Sequence, residues 1–305
     1  MNLLPLFVLV GPTAIGKTSL SIKLAKELKG EIVSADSMQV YRNLDIGTAK
    51  VTKNEMEDIP HYLIDIIDPT ENFSVADFQS LAKEKIAEIA SREVLPMLVG
   101  GTGLYVNSIV SEYNFTDIGD TEDIRRDLWK IAEDKGNEEL IEKLKVLDPI
   151  SAEKIHPNDS KRIIRALEVY YASGKPISSY QNNTSNYDLN FIGLHMDREK
   201  LYERINLRVD LMLEAGWLDE LKNLLASGVP ANVQALQGLG YKQLLMHLNG
   251  DISYEKAIEL IKRETRRFAK RQITWFKRDE RIKWINVDDK NEAQILAEIL
   301  SYIEK

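Results

Sequence analysis

Cysteine is absent from the 305 residues, which excludes disulfides, thiolate metal sites and cysteine nucleophiles together. Only four histidines occur, scattered without ligand spacing, so His61 and His156 are read as non-metal histidines. A membrane-length apolar run is also lacking. The apolar opening, Leu3 to Val10, is too short to span a bilayer, has no basic segment before it, and runs into Gly11 without a small-residue cleavage site. A cytoplasmic protein with no membrane partner is expected. Positive charge is not in excess either: 40 Lys plus Arg stand against 48 Asp plus Glu, a net charge of −8. Any nucleic-acid site must therefore be a local basic patch on a repelling background. Repeats and low-complexity tracts are missing, and 44% hydrophobic with 29% charged residues is an ordinary globular composition. At about 150 residues per domain, the length allows about two domains.

What is present is alternation. Four short apolar runs, Leu6 to Val10, Glu31 to Ser34, Tyr62 to Ile67 and Pro96 to Val99, have the length of strands covered on both faces. Helical spacing lies between them, in Lys17 to Leu28 (Leu20, Leu24, Ala25, Leu28) and in Val75 to Ala90 (Phe78, Leu81, Ala82, Ile86, Ile89). Residues 1–114 are expected to form the first part of an α/β core, 115–187 a helical insertion, and 188–305 the return to the core. In that last part Asn190 to Met196 and Arg281 to Val287 read as strands, and Leu201 to Ala226, Tyr254 to Arg278 and Glu292 to Ile303 as helices.

Between the first strand and the first helix stands Gly11-Pro12-Thr13-Ala14-Ile15-Gly16-Lys17-Thr18, which fits G-x-x-x-x-G-K-[ST] in the strand–helix context that motif needs. Glycines let the backbone curl so that successive N–H groups converge on phosphate oxygens, and the following helix offers its positive N-terminal end. Lys17 would neutralise the terminal phosphates. Thr18 would place a hydroxyl on Mg²⁺, which prefers oxygen ligands. The expected fold is a P-loop NTPase-like parallel sheet flanked by helices. Phosphate charge and shape are what such a loop reads, so a nucleotide is not specified, and a diphosphate on any leaving group would fit. Asp65 and Asp68, each ending an apolar triplet, are candidate magnesium aspartates. Asp36 follows the second strand at the rim shared with the loop, either beside the phosphate or as a turn cap.

Six blocks carry a resemblance to tRNA dimethylallyltransferases: GPTAIGKT, SADSMQVYR (Ser34 to Arg42) with DIGTAK (Asp45 to Lys50), LVGGTGLY (Leu98 to Tyr105), HPND with KRIIRALEV (His156 to Val169), LGYKQ (Leu239 to Gln243) and KRQITWFKR (Lys270 to Arg278). They run nearly from end to end. The resemblance implies transfer of a dimethylallyl group from dimethylallyl diphosphate to N6 of the adenine beside the anticodon of a tRNA. It makes Asp36 the general base, the phosphate loop with Lys17, Thr18 and Mg²⁺ the diphosphate site, and Arg208 a second cation on the diphosphate. It assigns tRNA contacts to Ser37, Met38, Gln39, Thr102, Arg125, Lys161, Arg162, Ile163, Ile164, Arg165, Gln237, Gly240, Tyr241, Lys242, Arg266, Arg267 and Lys270. Lys161 departs from the family pattern, which has glutamine there. An amide such as that of Gln39 can pair with an adenine edge.

One further feature is legible without the resemblance. At about 100° per residue, Lys262, Arg263, Arg266, Arg267, Lys270 and Arg271 share one half of a helix, with Phe268, Trp275 and Phe276 opposite, a footprint for a phosphate backbone. An anticodon stem-loop is the expected partner, since extruding a base costs least in a loop. A monomer is expected. A small-molecule P-loop kinase, an isopentenyltransferase on free adenine nucleotides and a non-catalytic nucleotide switch are the competing functions.

Overall fold

The computed structural model describes residues 3–113, 119, 121–182 and 185–303. In chain order the first elements are β1 (Leu4–Val10), α1 (Lys17–Leu28), β2 (Gly30–Ala35), β3 (His61–Tyr62), α2 (Val75–Ser91), β4 (Leu95–Gly100), α3 (Gly103–Val110) and β5 (Glu112–Tyr113). Four helices follow, α4 (Glu122–Lys135), α5 (Asn137–Leu147), α6 (Pro149–Lys154) and α7 (Ser160–Ser173), then β6 (Gln181–Asn182). The remainder is β7 (Tyr187–His195), α8 (Arg198–Glu214), α9 (Trp217–Ala226), α10 (Tyr241–Leu248), α11 (Tyr254–Phe276), β8 (Lys283–Asn286) and α12 (Glu292–Ile303).

Six strands form one sheet in the order β3-β2-β4-β1-β7-β8, and every pairing in it is parallel. Because alternate side chains leave a strand on opposite faces, β1 feeds two cores. Leu6, Val8 and Val10 pack with Phe78, Ile86, Val106 and Trp217 on one face, and Phe7 and Leu9 with Leu20, Leu24, Ile295 and Ile299 on the other. This double burial is why β1, β2 and β4 read as unbroken apolar runs rather than alternating ones. The shared direction puts the carboxyl ends of β1, β2 and β4 on one rim, where Gly11, Asp36 and Gly101 emerge.

The expected strand Tyr62 to Ile67 is a correction: only His61–Tyr62 pairs, with a single bridge from Ile67 to Tyr41 further on. Leu63 and Asp65 take φ of 62° and 56°, outside the extended region, so no ladder can run through them. The expected helix Leu201 to Ala226 is two helices, broken at Gly216 with φ 99°.

The chain divides into two compact units, Met1–Val110 with Asn186–Lys305, and Ser111–Ser185. The second packs Leu128, Leu140, Leu144, Ile163, Ile164 and Leu167 from α4, α5 and α7 into a core of its own. Its turns rest on buried Asp148, which accepts hydrogen bonds from the N–H and hydroxyl of both Ser151 and Ser178. Among the described residues no helix is long and apolar enough to cross a membrane.

Candidate functional site

A cleft of roughly 690 Å³ opens at the carboxyl rim, lined by Thr13 to Thr18, Asp36, Gln39, Thr48, Arg208, Phe268 and Gln272 among others. The loop between β1 and α1 turns through Gly16, whose φ of 102° is open to glycine and costly for other residues. Lys17 folds back so that its Nζ donates to the carbonyls of Gly11 and Pro12, both at 2.9 Å. Burial lowers its pKa to about 8, helped by the nearby Arg208 cation and opposed by Asp36. Burial likewise lowers Arg208, against the pull of Asp36 and together with the push of Arg204. Two cations are thus held close to each other, with Asp36 and Glu55 the only carboxylates felt there. The arrangement lacks an anion and is suited to a compact multiply charged one.

Asp36 stands one residue past β2. Its Oδ1 accepts from the N–H of Met38 at 2.9 Å and of Gln39 at 3.4 Å, which fixes the carboxylate and leaves Oδ2 without a hydrogen bond among the described residues. Both readings of this aspartate are therefore true at once: it closes a turn and lines the cleft. The next residue is pinned from the end of β4, where Thr102 Oγ1 accepts from the Ser37 N–H at 3.1 Å. Thr18 is exposed on the cleft wall.

The loop Asp45–Lys50, which forms another wall, is held by a residue that sequence reading missed. Glu220 of α9 accepts from the N–H groups of Asp45, Ile46 and Gly47 at 2.8, 2.7 and 3.1 Å, and from the hydroxyl of Tyr241 at 2.6 Å. Gly47 has no room for a side chain there, since a Cβ would lie 2.0 Å from Trp217 Nε1. The buried ammonium of Lys50 is fully satisfied by the Tyr41 carbonyl at 2.9 Å and by Asp45 and Asp65 at 2.5 Å each. A second missed residue, Gln272 of α11, bonds both Thr13 and Gly101. The available signal was its place in the buried stripe Ala257, Ile261, Ala269, Gln272 and Phe276, where an uncharged polar residue needs partners. Glu220 gave no comparable signal, as an acidic residue in the first turn of a helix is ordinary.

Several expectations are corrected by these contacts. Asp65 is spent on Lys50, Asp68 caps Thr70, and neither lines the cleft, so the magnesium role proposed for them falls away. Gln39 uses its amide internally, accepting from Ser34 Oγ at 3.1 Å and donating to the carbonyls of Thr48 and Ala49 at 3.3 and 3.4 Å. Tyr241 is buried with its hydroxyl on Glu220, which, with burial, raises its pKa. In the helical unit Ile163 and Ile164 are core residues, leaving Lys161, Arg162 and Arg165 as the exposed part of that run. His61 and His156 make only local bonds, to Ile59 and Asn158, and no metal-ligating cluster exists among the described residues.

The basic face of α11 is less free than its helical wheel implies. Lys262 pairs with Asp210 at 2.6 Å and Arg266 bonds Asn206 Oδ1 at 2.6 Å, both on α8, while Arg263 and Arg267 share Glu264. Phe268, expected opposite the cations as an anchor, lines the cleft instead. Lys270, Lys242 and Gln237 are exposed, Met38 is half-buried, and Gly240 is buried at the start of α10. In the helical unit, Arg125 and Arg165 converge on buried Glu168, with Nη···Oε distances of 2.7 and 3.0 Å, and Thr121 also donates to it. Burial raises the Glu168 pKa, but these hydrogen bonds outweigh it and hold the carboxyl below its ordinary value.

Comparison with known proteins adds an independent line. A model of the IPP transferase family matches residues 39–279. The tRNA dimethylallyltransferase of Alkaliphilus oremlandii (strain OhILAs) is 50% identical over 298 residues, 97% of this chain and 95% of that protein. Among solved structures, the full-length tRNA isopentenylpyrophosphate transferase of Bacillus halodurans is 47% identical with a TM-score of 0.76, over 98% of this chain and 95% of that one. A eukaryotic dimethylallyltransferase captured acting on tRNA is 30% identical with a TM-score of 0.80, over 99% of this chain and 80% of that one.

Proposed function

The chain belongs to the IPP transferase family, and from that premise we propose that it is a tRNA dimethylallyltransferase. It moves the dimethylallyl group of dimethylallyl diphosphate onto N6 of the adenine beside the anticodon. The observation that carries this reading is the pairing, in one cleft, of a phosphate loop crowded by Lys17 and Arg208 with a carboxylate whose outer oxygen is unused.

The N6 lone pair attacks C1 of the allyl group, the C1–O bond breaks, and its electron pair leaves on the diphosphate. Negative charge develops where the loop N–H groups, Lys17 and Arg208 converge, so they bind the transition state more tightly than the substrate. The N6 proton passes to Asp36 Oδ2, whose partner oxygen is held by two backbone N–H groups and cannot rotate away. Mg²⁺ suits the donor set: Thr18 offers one exposed hydroxyl, no acidic cluster stands ready among the described residues, and this ion keeps waters while bridging phosphate oxygens. When bound, it supplies charge neutralisation to the leaving group. The anticodon loop is bound by exposed cations, Lys161, Arg162 and Arg165 on the helical unit and Arg267 and Lys270 on α11.

The test is transfer of label from dimethylallyl diphosphate to unmodified tRNA with Mg²⁺, with AMP and ATP as controls. Label on an anticodon-loop adenine, lost in Asp36→Asn, supports the reaction and its base. Label on AMP to an equal extent selects a free-nucleotide enzyme, and ATP turnover without prenyl transfer overturns the family chemistry while leaving the phosphate loop intact.

A further inference from the structure

Gln272 lies on the buried stripe of α11, far from the phosphate loop in sequence and in contact with it in space. Its Oε1 accepts from the Thr13 N–H at 2.9 Å, and its Nε2 donates to the Gly101 carbonyl at 2.9 Å. One side chain thus ties the loop after β1 to the turn after β4. The connection continues: Thr102 N–H donates to the Ala35 carbonyl at 3.2 Å, and Thr102 Oγ1 accepts from Ser37 N–H, on the two sides of Asp36. Gly101 is matched to this bridge, because a Cβ there would lie 2.3 Å from Gln272 Nε2. The contact needs a donor and an acceptor on one planar group, which among buried side chains of this size only an amide supplies.

We propose that Gln272 is a positioning residue that sets the distance between the bound diphosphate and Asp36, and so between the allyl carbon and the base that accepts the N6 proton. It touches neither substrate. The inference rests on the proposed function for its kinetic consequence but not for the mechanical link itself. In-line displacement tolerates little misplacement, so losing the bridge should lower the rate of transfer more than it weakens either substrate alone.

Gln272→Met keeps the volume and removes both hydrogen bonds, and Gly101→Ala displaces the amide while leaving residue 272 unchanged. For both, kcat for tRNA prenylation is expected to fall about 10- to 100-fold, while the Kd for inorganic diphosphate and the KM for tRNA move less than about threefold. Amide hydrogen exchange reports the link without any transfer. In the wild-type protein, saturation with inorganic diphosphate should slow exchange in residues 101–104, and in both variants it should not. Wild-type kcat in a folded Gln272→Met protein overturns the inference, as does diphosphate-induced protection of that turn persisting in the variant. Should Gln272→Met not accumulate, Gly101→Ala decides by the same two readouts. A wild-type protein that couples loop to turn yet fails to prenylate tRNA would overturn the functional reading and leave the positioning role standing.

Discussion

In the cleft, polar side chains are used twice: Asp36 closes a turn with one oxygen and faces the cavity with the other, and Glu220 gathers four donors. In the helical unit the cations Lys161 and Arg162 stand exposed on a surface whose only deeply built polar contacts are Glu168 and Asp148. The difference follows from what each region must do. Bond-making chemistry needs groups fixed to fractions of an ångström, which buried hydrogen bonds supply. Holding a phosphate backbone needs charge at the right density, and exposed cations supply that at little structural cost.

Substitutions should therefore act sharply in the cleft and gradually on the helical surface. The largest effect is expected from Asp36→Asn, which keeps the turn-closing oxygen and removes the proton acceptor. Its kcat should fall about 10²- to 10⁴-fold with tRNA affinity retained, measured by single-turnover transfer. A loss under tenfold would mean that another group takes the proton. Lys17→Met should cost about 10²- to 10³-fold in kcat/KM for the donor.

Lys17 also carries a pH signature. Its pKa of about 8 in the folded protein lies below the ordinary 10.5, so the unfolded chain binds more protons in between. Burying its charge is a penalty present in full below about 8 and relieved toward 10.5, so its contribution to stability rises with pH across that window. Diphosphate binding runs the other way. Affinity for inorganic diphosphate, followed by calorimetry, should fall as pH rises through 8, and Lys17→Arg should remove that component because its guanidinium stays charged. An identical profile in both proteins would place the titration on the ligand.

Smaller effects separate wiring from contact. Glu220→Ala leaves three loop N–H groups without their acceptor and should cost about 2–3 kcal/mol in urea unfolding, with Tyr241→Phe nearer 1 kcal/mol. The smallest changes belong to the helical unit. Lys161→Ala and Arg162→Ala should each raise the KM for tRNA severalfold and flatten the log–log salt dependence of binding by about 0.7 to 0.9, the share of a single phosphate contact. An unchanged slope for both would move the footprint to other cations.

Much of the fold was legible because its signals are local. A buried parallel strand is a short apolar run, a phosphate loop needs glycine and lysine at fixed spacing, and α1, α2 and α12 followed from helical periodicity within a residue or so of their ends. Errors arose where local signals were overridden. Tyr62 to Ile67 is as apolar as a strand, yet left-handed backbone at Leu63 and Asp65 lets Asp65 reach Lys50 instead of pairing. The basic wheel of α11 was correct as a wheel, but a wheel cannot know that α8 brings Asp210 and Asn206 against two of its cations.

By itself, then, the sequence determined the α/β class, the phosphate loop, the position of Asp36 beside it and the family, because each depends on residues close together in the chain or on blocks matched whole. Tertiary structure alone decided that Gln272 bridges two loops, that Glu220 holds a third, and that Gln39, Tyr241, Ile163 and Ile164 spend their side chains inside the protein. Those roles depend on hydrogen bonds and packing between segments as much as 259 residues apart, a separation at which no spacing rule operates and only the folded backbone brings donor to acceptor.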